Sequence, residues 1–143
     1  MALQTKIKGD LGQLSKKIEN KFTKLSSGAE LEKIAQTLNG AIQIRTQKQG
    51  RGISGQKMRK YSPQYAAFKS STGRNTSFRD LTFTGNMWKS LTTSRGINSA
   101  TMFFGSAQET NKAAGNNART PFFGIGENEK QILRQELNKL IKF

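Results

Sequence analysis

The longest uninterrupted apolar run in this 143-residue sequence is four residues, Tyr65 to Phe68. A run that short cannot span a bilayer, which takes about 20 apolar residues. The dilution extends along the whole chain, which is 34% apolar with a mean hydropathy of −0.66. A chain of this length buries roughly two thirds of its unfolded surface. The sequence therefore predicts one domain with a small core, or a core completed by neighbouring subunits. The N-terminus carries Lys6, Lys8 and Asp10 where a signal peptide needs an apolar stretch, so export by that route is not expected.

Charge is the second constraint. The chain has 24 Lys+Arg and 9 Asp+Glu, for a net +15. Between residues 33 and 126 only Asp80 and Glu109 are acidic, against 14 Lys+Arg, so that stretch carries +12. A segment this basic calls for phosphates or an acidic protein surface as counter-charge, or else its lysines only solvate a weakly apolar domain. Cysteine and histidine are both absent. Disulfides, thiolate nucleophiles, the commonest metal ligand and the commonest general base go with them. The two middle acids lie far apart in sequence, and paired-carboxylate chemistry needs two that converge. No serine is singled out for a Ser/Lys dyad. No catalytic residue, cofactor or metal site is expected.

Periodicity then sets the elements. Leu11, Leu14, Ile18, Phe22 and Leu25 predict an amphipathic helix over about 10–25. Ser27 with Glu30 reads as a capping box that opens a second helix, striped by Leu31, Ile34, Leu38 and Ala41/Ile42 and running to about Gln47. The two read equally as one long helix with a fault at Gly28. Residues 48–77 read as a basic Gly/Ser-rich connection in which Pro63 opens a short helix capped by Ser62. Within it, Ser70 to Ser77 reads as an exposed, mobile loop. Gly50 and Gly55 have the spacing of a phosphate-cradling loop, but Gln56 stands where lysine is needed and no apolar strand precedes them.

Asn86 to Leu91 reads as one helical turn. Thr92–Arg95 and Ala100–Gly105 read as a β-hairpin reversing at Gly96 to Ser99. Gln108 to Ala118 reads as a loop. The last helix is expected to be capped by Asn128 and striped by Ile132, Leu133, Leu137, Leu140 and Ile141. Aromatics interleave with cations in Arg59-Lys60-Tyr61 and Phe78-Arg79, a pattern that suits a nucleic-acid platform as well as the core of a valine-free chain.

Four segments share an order. Gly55-Gln-Lys-Met-Arg-Lys-Tyr-Ser-Pro-Gln-Tyr-Ala-Ala-Phe-Lys69 is followed by Leu81-Thr-Phe-Thr-Gly-Asn-Met-Trp-Lys-Ser-Leu91. Thr101-Met-Phe-Phe-Gly105 comes next, then Ala118-Arg-Thr-Pro-Phe-Phe-Gly-Ile125 before the terminal helix. Over residues 30–143 this resembles the virion morphogenesis and tail-completion proteins of tailed-phage necks, the head–tail joining proteins. Thr84, Gly85, Ser90, Arg119, Pro121, Phe122 and Gly124 fall on the family pattern. Met87 replaces its usual Leu and Ala118 its frequent first proline, and the Tyr-Ala and Gly signals are degraded in Gln108 to Asn117.

The resemblance implies an α+β fold: a small antiparallel sheet packed by an N-terminal helical region (1–47) and a C-terminal helix, with a basic loop region (48–80) between. It implies a homo-oligomeric ring, a hexamer or dodecamer, joining portal or adaptor to tail in the virion after assembly in the host cytoplasm. The partners would be the portal/adaptor and tail proteins and passing DNA through non-specific contacts, without a membrane. In that reading the Thr84-Gly85 turn aims Met87, Trp88 and Leu91 at a core, Pro121 makes the chain leave a strand, and Phe122 anchors the last segment. Arg51, Lys57, Arg59, Lys60, Arg74 and Arg79 are the candidate partner or DNA surface. The alternatives are a non-specific nucleic-acid-binding protein using the 33–126 segment, and a metal-dependent nuclease or hydrolase resting on Asp80 or Glu109.

Overall fold

A computed structural model describes residues 4–8 and 27–141. The architecture is α+β. Three antiparallel strands, β1 (Gln4–Lys8), β2 (Leu91–Arg95) and β3 (Ser99–Phe104), form a sheet ordered β1-β3-β2. The central strand pairs Gln4 with Phe103 on one side and Leu91 with Phe104 on the other. The N-terminal region is thus not helical throughout, since residues 4–8 add the third strand. The expected helix over 10–25 lies outside the described residues.

One face of β3 carries Ala100, Met102 and Phe104, all buried. Helix α1 (Gly28–Gln43) lies along that face and β2. Its stripe Leu31, Ile34, Ala35, Leu38 and Ile42 is almost wholly excluded from water. The Ser27 hydroxyl accepts from the Glu30 amide, the expected cap. The helix then widens into a π turn over Ile44–Lys48. The next two inward positions after Ile42 are Arg45 and Thr46, and both are buried. A polar knot therefore finishes an apolar stripe.

The hairpin stands where its sequence puts it, with the Gly96 amide donating to the Ser99 carbonyl across the turn. The basic connection is far from a loop. Arg51 and Lys57 bridge a tight hairpin, and the Gly52 amide donates to the Gln56 carbonyl. Helix α2 (Pro63–Ser71) follows, with the Ser62 hydroxyl accepting from the Tyr65 amide. Beyond it, the Gly73 amide donates to the Ser70 carbonyl, and Arg74 Nε donates to the Phe83 carbonyl at 2.6 Å. The segment expected to be mobile is therefore stapled down.

Helix α3 (Asn86–Lys89) is one turn, entered through Gly85 at φ 84°, a left-handed geometry that favours glycine. It buries Met87 and Trp88.

Residues expected as a loop form helix α4 (Ala107–Arg119). The Ser106 hydroxyl accepts from the Glu109 amide as an N-cap, and Ala113 needs little room against the core. Helix α5 (Glu127–Ile141) starts one residue before the expected Asn128 cap, its first bond running from the Lys130 amide to the Gly126 carbonyl. Pro121 does not end a strand. It follows α4, and its carbonyl accepts from the Ile53 amide at 2.9 Å.

That contact seats the 51–57 hairpin on the 121–126 segment. A Cβ at Gly126 would stand 1.9 Å from the Ile53 carbonyl oxygen. The near-miss phosphate loop is thus a packing element with its backbone committed to the protein.

Candidate binding cavity

A cavity of about 820 Å³ opens between the start of α2, the 79–87 segment and one face of α4. Each wall has a local cause. Ser62 and Pro63 start α2 and thereby place Tyr61 and Tyr65 at the rim. Leu81 and Thr82 line the cavity above Asp80, whose Oδ1 accepts from the Thr82 amide at 3.0 Å, and Leu81 sits at φ 57°. A left-handed leucine is costly and persists only where its surroundings hold it. Glu109, Lys112, Asn116 and Arg119 recur at helical spacing and present one face of α4 to the space.

Under the floor lies a buried charge cluster. Lys69, fully buried, donates from Nζ to Asp80 Oδ1 at 2.6 Å and to the Tyr61 hydroxyl at 3.0 Å. The Tyr61 hydroxyl donates to the same carboxylate oxygen at 3.2 Å. Burial alone lowers an ammonium pKa, but the bonds to Asp80 and Tyr61 outweigh it and the Lys69 pKa is raised. Burial also raises the Tyr61 phenol. Asp80 is therefore spent on Lys69.

Arg79 lies beside this cluster. Its Nε donates to the Arg59 carbonyl at 2.7 Å and its Nη2 to the Lys60 carbonyl at 2.9 Å, with the guanidinium 5.0 Å from the Tyr61 ring centre. Burial lowers its pKa first, and the like charges of Arg119 and Arg59 push the same way.

The six candidate surface cations divide. Arg59, Lys60 and Arg79 line the cavity, whereas Arg51, Lys57 and Arg74 do not. Arg51 donates to the Gly55 carbonyl, and Arg74 covers the Phe83 ring at 4.0 Å. The candidate motif residues mostly build frame. Thr84 and Gly85 shape the rim and Arg119 reaches the cavity. Trp88 donates to the Asp80 carbonyl at 3.1 Å and meets Phe122 edge-on at 5.7 Å. The Ser90 hydroxyl donates to the Met87 carbonyl, and its own carbonyl accepts from the Gly105 amide. Leu91 packs on the core, Phe122 is fully buried, and Gly124 adopts φ 148° against Ile53.

Sequence reading missed Lys112 and Asn116, and took Glu109 only as a candidate acid of a metal-dependent nuclease or hydrolase, because α4 carries no large apolar residue to mark a stripe. The Ser106 cap three residues before Glu109 and the 109/112/116/119 spacing were the available signal.

The seven acids among the described residues each sit in an ion pair. Among these residues no group of three or more His, Cys, Asp or Glu stands ready to hold a metal ion, and no helix is long and apolar enough to cross a membrane. No family model matches the chain, and no curated protein or solved structure matches it either.

Proposed function

We propose that this protein is a structural component of a tailed-phage neck, a ring-forming head–tail connector or tail-completion protein without catalytic activity or cofactor. The observation that carries the reading is how the resembling segments are used. The 81–91 and 118–125 segments meet through Trp88 and Phe122, and the 55–69 segment leads out of the hairpin seated on Pro121. Motifs that build a frame rather than converge on a reactive centre suit a protein whose work is assembly.

Two further features support it. Unpaired cations concentrate in the former loop region and give a surface for acidic neighbours or for passing DNA. Ile44, Phe68 and Ile97 are large apolar residues left exposed, at 54%, 56% and 96%. Contacts between subunits in a ring would bury such groups.

Light scattering of the purified protein tests the reading, at low and high salt, with and without DNA. A closed oligomer indifferent to DNA is the expected result. A monomer that gains mass with DNA at low salt only overturns it in favour of non-specific nucleic-acid binding.

A further inference from the structure

We propose that the cavity between α2 and α4 is a docking site for an acidic peptide segment of another protein, with an apolar side chain seated between Tyr65 and Phe83. The inference names the partner chemistry and the place for the assembly role proposed above, and in that sense rests on it.

Five cations line the cavity, Arg59, Lys60, Arg79, Lys112 and Arg119, against the single carboxylate of Glu109. Lys112 is paired to Glu109 at 3.2 Å. Asp80, the other nearby acid, is neutralised by Lys69. Four positive charges are left facing one space with no internal counter-charge. Arg59 and Arg119 are exposed guanidiniums whose flat forks match carboxylates two bonds at a time, whereas Arg79 is held on the Arg59 and Lys60 carbonyls and contributes its charge. At Arg79 burial lowers the pKa first, and the nearby charges of Arg119 and Arg59 push it the same way.

Glu109 decides which anion. It is 7% exposed, lines the cavity, and its Oε2 has no hydrogen-bond partner in the protein. A buried carboxylate oxygen left open calls for a donor from the ligand. A peptide strand brings backbone N–H donors and side-chain carboxylates together. A phosphodiester backbone brings acceptors only. Tyr65 and Phe83 add apolar wall, and a space of this volume admits a short peptide stretch rather than a continuous strand tracked along a groove.

The described residues do not supply the segment themselves. The chain's acids are scattered, and the described ones are all paired.

Fluorescence anisotropy tests the proposal on the full chain. The probe is a labelled, glutamate-rich peptide with one central phenylalanine, and the comparison is a labelled oligothymidylate of matched charge. The peptide is expected to bind more tightly than the oligothymidylate at equal salt. The double variant Arg59→Gln/Arg119→Gln, both exposed side chains, is expected to weaken peptide binding by about 10-fold or more. Lys57→Gln, outside the cavity, is expected to leave it within about twofold.

No peptide binding at low salt overturns the site. So does tighter binding of the oligothymidylate, or an equal loss from Lys57→Gln, since either marks a diffuse polyanion surface. Light scattering of the same samples keeps the two proposals apart. An intact ring that ignores the peptide refutes the site alone, and a monomer that binds it refutes the ring alone.

Discussion

The Arg45–Glu129 pair and the Lys69–Asp80–Tyr61 cluster both put charge inside the protein, on different terms. Arg45, at the π turn, meets Glu129 of α5 and donates to the Phe122 carbonyl, joining chain segments far apart in sequence. Burial pushes its guanidinium down to about 10, so it remains charged at neutral pH and needs its partner. Glu129 is fully buried. Lys69 and Asp80 lie 11 positions apart, and Asp80 accepts from three donors, Lys69, Tyr61 and the Thr82 amide. The first cluster has a single charge on each side and no spare donor at the carboxylate. The second has redundancy. Buried ion pairs scarcely stabilise relative to apolar packing, but breaking one is expensive in proportion to what is left unpaired.

The contrast predicts a ranking. Glu129→Gln strands the Arg45 charge and should cost about 3–5 kcal/mol in urea unfolding. Arg45→Met with Glu129→Leu should recover most of that loss, because no charge remains inside. If the double variant is as unstable as the single one, the pair is worth more than its desolvation. Gly126→Ala drives a methyl into the Ile53 carbonyl and should cost about 2–3 kcal/mol by loosening the hairpin from the α5 start. Lys69→Met leaves Asp80 two donors and should cost about 2 kcal/mol. A loss as large as that of Glu129→Gln would show that redundancy does not matter here.

The second cluster also has a pH signature. Lys69 and Tyr61 are both raised above their ordinary values of 10.5 and 10.0, so the folded state holds protons that the unfolded chain releases. Their contribution is complete below about pH 10 and falls as pH climbs through the folded values. Wild type should lose more stability between pH 9 and pH 11 than Lys69→Met, read from urea midpoints. The smallest effect belongs to Glu127→Gln at the exposed pair with Lys130, within about 0.5 kcal/mol.

Local signals were readable in the sequence, and distant ones were not. Ser27 with Glu30, and Ser62 with Pro63, mark two helix starts because a cap is settled within three residues. The hairpin and the Gly85 turn are local in the same way. Helix α4 escaped because its polar composition hides the 3.6-residue period, although Ser106 and Glu109 announced it. Strand β1 escaped because its pairing partner lies near residue 100. Both buried ion clusters escaped for a related reason. A lysine in a basic stretch looks like every other lysine until the fold brings Asp80 beneath it. The cavity cations Arg59, Lys60 and Arg79 were among the candidates. Their separation from Arg51, Lys57 and Arg74 depends on α4, which supplies Arg119 and Glu109.

The reach from Arg45 to Phe122 spans 77 positions. During synthesis, α1 therefore leaves the ribosome with its last turn incomplete, and Arg45 stays hydrated until nearly the whole described chain has emerged. Loop closure over such a distance is slow relative to local helix formation. The domain should consequently fold late and all at once, with the arrival of α5 as the closing event. A chain stalled before Glu129 would expose its 51–57 hairpin, its π turn and Phe122 together, and would be a target for chaperones or proteases.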